Sequence, residues 1–242
     1  MFIVPFVKDN PVRRIPWVVL GLIVVNTALL IATWSAGHTQ TLFMKYGFTP
    51  AHPELRAVMT SMFLHAGFWH LAGNMFFLWM FGNQVENAFG HWFFAVVYLV
   101  CGFAAAGLHY LLNLHSAVPC VGASGAISGI VGAFAVLFPR AKFDLDIYLG
   151  WWHVKTFPAR TWGAVGAWVA EQFVLGLITQ ATHSMGTAFW AHVGGFLAGL
   201  LIAAAFLWVV PRELLLSRRR EKYWYMQDRF NREKETITQL KL

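Results

Sequence analysis

The feature that most constrains this chain is a series of long apolar runs that hold almost no charged residue. A helix needs about 20 such residues to cross the hydrocarbon core of a bilayer. Of the 242 residues, 58% are hydrophobic and only 12% are charged, whereas a soluble domain has about 25% charged residues. The chain is therefore expected to be an integral membrane protein of the multi-pass type.

Six runs are predicted to span the membrane, with an N-terminal segment at 1–16 and a basic C-terminal tail at 211–242. The predicted spans are 17–34, 61–82, 91–112, 122–138, 161–180 and 188–210. Together they predict an all-α bundle of six transmembrane helices that occupies residues 17–210 as one domain. An even number of spans places both termini on the same side of the membrane.

The distribution of Lys and Arg predicts which side that is. The loops assigned to the outer side hold only Lys45 and Arg56, and every other Lys and Arg lies in a segment assigned to the cytoplasmic side. Cytoplasmic loops of membrane proteins carry such an excess, so both termini are expected to be cytoplasmic. The net charge of +7 is spread over these loops, which argues against a nucleic-acid partner.

Three of the spans carry polar residues near their predicted outer ends. His70 and Asn74 are four residues apart and share one face of the second span, while Ser124 begins the fourth span and His192 lies near the start of the sixth. They supply a nucleophile candidate, a base candidate and hydrogen-bond donors, which are the groups that acyl transfer requires. Backbone N–H groups in the first turn of the fourth span add further donors.

Glycines recur on the fourth and sixth spans at spacings of three and four residues. The set consists of Gly122, Gly125, Gly129 and Gly132 on the fourth span, with Gly195 and Gly199 on the sixth. Small residues at this spacing let membrane helices approach closely. We therefore expect these two spans to touch and to bring Ser124 within hydrogen-bond reach of His192.

These motifs resemble those of the rhomboid intramembrane serine proteases. The resemblance rests on SMFLHAGFWHLAGNMFFLWMFGNQVENAFG, GASGAISG and AHVGGFLAG, which occur in this order on the second, fourth and sixth spans. It implies a rhomboid-like bundle in which Ser124 is the nucleophile, His192 is the general base with no acidic third member, and His70 and Asn74 form the oxyanion hole. It also implies cleavage of transmembrane helices of other proteins near the outer membrane surface.

The resemblance extends to Glu86 and Gly90, which match a Glu-x-x-x-Gly feature of structural role. At two positions the sequence departs from the family pattern. Leu55 stands before Arg56 where members often have Trp-Arg, and Ser128 stands where some members have a tyrosine stacked on the histidine. Ser128 is expected to be a packing residue, and the imidazole of His192 then needs other neighbours.

Some alternatives stay open at the level of single residues. Ser124 taken alone is compatible with a helix-capping or packing serine. His65, His70 and His192 are compatible with a metal site, although no cysteine or carboxylate lies at their level to complete it. Glu171, inside the fifth span, is compatible with either a structural role or a proton relay.

The function expected from these features is that of a serine endopeptidase acting on transmembrane protein substrates within the lipid bilayer. No cofactor or metal is expected, and a bacterial inner membrane is the expected location. The competing functions are a catalytically inactive rhomboid-like protein that binds client helices, and a small transporter that uses the histidines. The substrate, the cleavage motif and the oligomeric state are not predicted.

Overall fold

The structure is a computed structural model, and it describes residues 2–8, 14–149, 152–182 and 188–210. The tail predicted at 211–242 lies outside the described residues. The chain divides into two compact units, Met1–Ala204 and Ala205–Leu242. The residues of the candidate site all belong to the first unit.

Most of the described chain is helical, as expected. The helices are α1 (Trp17–Ser35), α2 (Thr39–Tyr46), α3 (Leu55–Ser61), α4 (Phe68–Phe77), α5 (Asn83–Phe89), α6 (His91–Leu112), α7 (Ser124–Leu137), α8 (Thr161–Thr182) and α9 (Phe189–Val209). A π-helical turn, Leu78–Gly82, joins α4 to α5.

Within the described ranges, three helices are long and apolar enough to cross a membrane, namely α1, α6 and α9. α7 is apolar but shorter, with 14 residues, which corresponds to a length of about 21 Å. The structure thus supports membrane crossing for three of the six predicted spans by length and composition. The count of six and the cytoplasmic termini stay predictions.

The second predicted span, 61–82, does not form with those bounds. Residues 62–67 separate α3 from α4, and the helical path then runs through the π-helical turn into α5. It ends at Gly90, whose φ of 84° favours glycine and breaks the helical path.

Polar residues continue this helix beyond residue 82 because they are buried inside the protein. Asn83, Gln84 and Glu86 are all buried. The carboxylate of Glu86 accepts hydrogen bonds from the backbone N–H groups of Val18 and Val19, at 3.0 and 2.9 Å. These groups belong to the first turn of α1 and have no partner within that helix, so Glu86 caps α1 from a neighbouring element.

A three-stranded antiparallel sheet is the main departure from the predicted all-α class. β1 (Phe2–Lys8) pairs with β2 (Lys142–Leu149), which pairs in turn with β3 (Trp152–Arg160). The sequence of β2, KFDLDIYL, begins with alternating polar and apolar residues, which is a strand signal. The sheet was not predicted because no strand was assigned to the polar segments between the long apolar runs.

α7 lies at the centre of the helical core, with every residue from Gly125 to Ala135 buried. Its backbone approaches that of α9 so closely that a Cβ added to Gly195 would collide with the carbonyl oxygen of Gly125. A Cβ on Gly199 would collide in the same way with the carbonyl oxygen of Gly129. Only glycine at these positions of α9 allows this approach.

Candidate active site

The loop before Ser124 is held in place by backbone hydrogen bonds to the preceding part of the chain. Phe48 and Cys120 exchange two such bonds, at 3.0 and 2.7 Å, and the N–H of Gly122 donates to the carbonyl of Ser61 at 2.9 Å. Residues 113–123 contain no helix, and α7 begins at Ser124. The loop therefore delivers Ser124 to the first turn of a buried helix.

Ser124 meets His192 across the contact between α7 and α9. The Oγ of Ser124 lies 2.8 Å from Nε2 of His192. The imidazole is buried, with 8% of the residue exposed, and it sits in the first turn of α9, one turn before Gly195. The close contact of Gly195 with Gly125, the residue after Ser124, therefore sets the distance between the two helices near this pair.

The other ring nitrogen of His192 has a partner on α8. Nδ1 lies 2.6 Å from Oε1 of Gln172, in a buried contact. Trp168 stacks on the imidazole with ring centroids 6.2 Å apart and an interplanar angle of 30°. Phe189 approaches the ring edge-on at 6.3 Å. These aromatic rings are the neighbours that the imidazole needs where Ser128 replaces a stacked tyrosine.

Gln172 and Trp168 of the candidate site were not predicted from the sequence. A signal was present, because the two are four residues apart on a helix and therefore share one face, and Gln172 is a polar residue inside an apolar span. Glu171 was considered instead. In the structure the side chain of Glu171 is exposed, whereas Gln172 is buried against His192.

Ser128 lies one turn below Ser124 and is buried. Its Oγ donates to the backbone carbonyl of Ser124 at 2.7 Å. The hydroxyl is thus bonded within its own helix, in an arrangement common for serines inside helices. This geometry agrees with the packing role expected for Ser128.

His70 lies beside the loop that precedes Ser124. The N–H of Ala66 donates to Nδ1 of His70 at 3.3 Å, and a neutral imidazole that accepts at one nitrogen carries its proton on the other. A Cβ added to Gly122 would lie 3.0 Å from Nε2 of His70 and 3.7 Å from Oγ of Ser124. The absent side chain of Gly122 thus leaves a space that both groups border. The φ of 133° at Gly122 is a second reason for glycine there.

Asn74 is buried on α4, but its amide is turned toward its own helix. Nδ2 donates to the backbone carbonyl of His70 at 2.7 Å. The ring of the buried residue His65 packs edge-on against His70, with centroids 5.2 Å apart. The structure therefore brings His70 to the loop of Ser124 and directs the Asn74 amide elsewhere.

The histidines do not assemble a metal site in the described part of the chain. No group of three or more His, Cys, Asp or Glu there is arranged to hold a metal ion.

Comparison with known proteins identifies the same region of the chain. The model of the Rhomboid domain matches residues 52–209. Rhomboid protein 1, mitochondrial, of Saccharomyces cerevisiae is 33% identical over 175 residues, which cover 68% of this chain and 44% of that protein. The mouse (Mus musculus) Presenilin-associated rhomboid-like protein, mitochondrial, is 32% identical over 190 residues, covering 75% of this chain and 46% of that protein.

A plant protein, RHOMBOID-like protein 6, mitochondrial, of Arabidopsis thaliana, is 30% identical over 150 residues, covering 62% of this chain and 43% of that protein. The chain spans less than half the length of these three relatives. All three carry the word mitochondrial in their names. They contradict the bacterial inner membrane expected from the sequence, and that expectation is wrong.

The family match covers more than half of the chain and contains Ser124, His192, His70 and Asn74. The similarity to the yeast protein extends over more than two thirds of the chain. The fold between these limits is mostly helical, with helices suited to a membrane. The chain belongs to the rhomboid family.

Proposed function

We propose that this chain is an intramembrane serine endopeptidase that cleaves transmembrane segments of other membrane proteins. The observation that carries the proposal is the 2.8 Å separation between Ser124 Oγ and His192 Nε2. Membership of a family that includes intramembrane serine proteases supports it.

In this proposal Ser124 is the nucleophile and His192 is the general base. Nε2 of His192 accepts the hydroxyl proton while Oγ attacks the carbonyl carbon of the scissile peptide bond. The resulting imidazolium then gives its proton to the leaving amine, and an acyl-enzyme on Ser124 remains. A water molecule, activated by the same imidazole, hydrolyses the acyl-enzyme and restores both residues.

The space left by Gly122 suits the oxyanion of the tetrahedral intermediate. Nε2–H of His70 and the backbone N–H groups at the start of α7 are the proposed donors, since a helix N-terminus favours negative charge. Asn74 becomes a further donor when its amide rotates away from the His70 carbonyl, to which it is bonded at 2.7 Å.

We also propose six membrane crossings, with both termini on the positively charged side. The pairing of β1 with β2 supports this topology, because Lys8 lies opposite Lys142. The segments before α1 and after α7 must then lie on the same side, which requires an even number of crossings between them. Four crossings are then supplied by α1, by the continuous helix that α4 and α5 form, by α6 and by α7. The names of the relatives support a mitochondrial membrane as the location.

The direct test of this function is cleavage of a single-pass transmembrane substrate in proteoliposomes. The substrate should carry glycine near the end of its helix, because a peptide carbonyl within an intact helix is hydrogen-bonded and shielded from attack. The wild type should cleave it, and Ser124→Ala and His192→Ala should each reduce the rate by about 10⁴-fold or more. Undiminished cleavage by either variant would contradict the proposed roles. Binding of the substrate by wild type without cleavage would instead favour the inactive client-binding function.

A further inference from the structure

We propose that Gln172 is a positioning residue that holds His192 in the tautomer and orientation of a general base, so that the site is a Ser–His–Gln arrangement. The inference rests on the proposed protease function. It adds a residue on α8 to a site otherwise formed by α4, α7 and α9.

If His192 acts as a general base, its two hydrogen bonds are compatible with only one tautomer of the imidazole, the one protonated on Nδ1. Nε2 must be unprotonated to accept the proton of Ser124 Oγ, which lies 2.8 Å away. The ring proton must then sit on Nδ1, and this buried N–H needs an acceptor. Oε1 of Gln172, at 2.6 Å from Nδ1, is that acceptor.

Loss of the acceptor removes this preference between tautomers. With an apolar side chain at position 172, Nδ1–H would be left as a buried donor without a partner, which is unfavourable. The other tautomer, with the proton on Nε2, then becomes competitive. In that tautomer the Nε2–H group points at Ser124, so the imidazole cannot accept the hydroxyl proton.

α8 holds the imidazole by two side chains from the same face. Trp168 and Gln172 are four residues apart, one stacked on the ring at 6.2 Å and the other bonded to its nitrogen. The stacking fixes the plane of the ring, and the hydrogen bond fixes its rotation within that plane. Both constraints are needed to direct Nε2 at Ser124.

The orientation of α8 about its own axis places the amide of Gln172, and not the carboxylate of Glu171, beside His192. Adjacent residues of a helix differ by about 100° in direction, and Glu171 is exposed while Gln172 faces His192. A neutral amide fixes the tautomer without the cost of burying a charge in a membrane protein. A site built this way needs no acidic third member.

The test is a comparison of kcat and KM for Gln172→Met and Gln172→Glu in the proteoliposome assay, with Glu171→Met as the matched control on the next residue. Gln172→Met should lower kcat by about 10- to 100-fold, a fraction of what a general base contributes, and leave KM unchanged, since Gln172 is buried against His192 and is proposed to act only through the imidazole. Gln172→Glu retains an acceptor, so its kcat should stay within about threefold of wild type above neutral pH. The acid limb of the pH–rate profile of Gln172→Glu should move to higher pH, because a carboxylate beside His192 favours its imidazolium form. Glu171→Met should keep the wild-type rate.

Three results would overturn the role of Gln172 while leaving the protease function intact. The first is a kcat of Gln172→Met within about threefold of wild type, and the second is an equal loss of kcat in Gln172→Met and Gln172→Glu. The third is a wild-type kcat in Gln172→Glu without a shift of the acid limb of its pH–rate profile. In each case the wild type still cleaves. Absence of cleavage by wild type above the Ser124→Ala background would remove the protease function, and this inference with it.

Discussion

Gly122 shows how a residue without a side chain can shape a site. Its φ of 133° is unfavourable for any other residue, and a Cβ there would come within 3.0 Å of His70 Nε2. The same missing side chain leaves the space that we assign to the oxyanion. The residue therefore serves the backbone path and the proposed chemistry together.

Gly122→Ala is predicted to impair turnover more than folding. The added methyl would strain the loop and push His70 away from the proposed oxyanion position, and losing one such donor costs about 10²- to 10³-fold in rate. Cleavage rate and thermal unfolding should be measured together. Gly37→Ala is the matched control, because Gly37 also has a positive φ, 69°, but nothing lies within 4 Å of an added Cβ. Equal rates for both variants would contradict the role of Gly122.

The motifs and their spacing predict Ser124, His192 and His70 as site residues from the sequence alone, and the structure places Ser124 and His192 in contact. It was not sufficient for Gln172. Whether Glu171 or Gln172 meets His192 depends on the rotation of α8 about its axis, and this rotation is set by packing against other elements. The conformation of the Asn74 amide could not be predicted either. Its hydrogen bond to the His70 carbonyl depends on side-chain torsion angles that the sequence does not determine.

At the scale of elements, the contact between α7 and α9 depends on glycines that face carbonyl oxygens. Gly199→Ala is predicted to destabilise the protein by about 1–3 kcal/mol or more, as overpacking of a tight core does, and to separate Ser124 from His192. Gly163→Ala is the matched control, because Gly163 lies on α8 and an added Cβ there meets nothing within 4 Å. The free energy of unfolding in detergent and the rate of substrate cleavage should be measured for both variants. Equal stability of both variants would contradict the close approach.

The capping of α1 by Glu86 is a second contact between elements. Glu86→Ala would leave the N–H groups of Val18 and Val19 without their acceptor and remove the partner of His91, whose Nδ1 lies 2.5 Å from Oε1. We expect a loss of about 2 kcal/mol in the free energy of unfolding, typical of buried bonds to a charged group.

A surface carboxylate provides the control for Glu86. Glu54 pairs with Arg56 at 2.9 Å, with both side chains more than half exposed, and Glu54→Ala should cost less than about 1 kcal/mol. Denaturant unfolding of both variants measures the difference. A stability loss from Glu86→Ala no larger than that from Glu54→Ala would show that the cap is unimportant.

The elements were predictable where hydrophobicity decides them and less so elsewhere. The runs that became α1, α6 and α9 were predicted within a few residues. The second span was misplaced because burial of Asn83, Gln84 and Glu86 inside the protein lets a polar segment continue a helix. The sheet was missed although KFDLDIYL begins with alternating residues, because its pairing with Phe2–Lys8 joins segments far apart in sequence.

At the scale of the whole molecule, the pairing of β1 with β2 makes a prediction about topology. Single cysteines at Lys8 and Lys142, in a background with Cys101 and Cys120 replaced, should react with an impermeant maleimide from the same face of sealed vesicles. A cysteine at Lys45 should react from the opposite face, because α1 separates it from Lys8. Labelling of positions 8 and 142 from opposite faces would contradict the even number of crossings.

In the proposed mechanism, His192 activates Ser124 as a nucleophile inside a membrane protein. Reaction of the purified wild type with a fluorophosphonate probe, followed by mass spectrometry of the peptides, tests it most directly, because the probe requires an activated serine. We predict one adduct on Ser124 that is absent from Ser124→Ala, strongly reduced in His192→Ala and retained in Ser128→Ala. Equal labelling of wild type and Ser124→Ala, or an adduct on another residue, would contradict the claim.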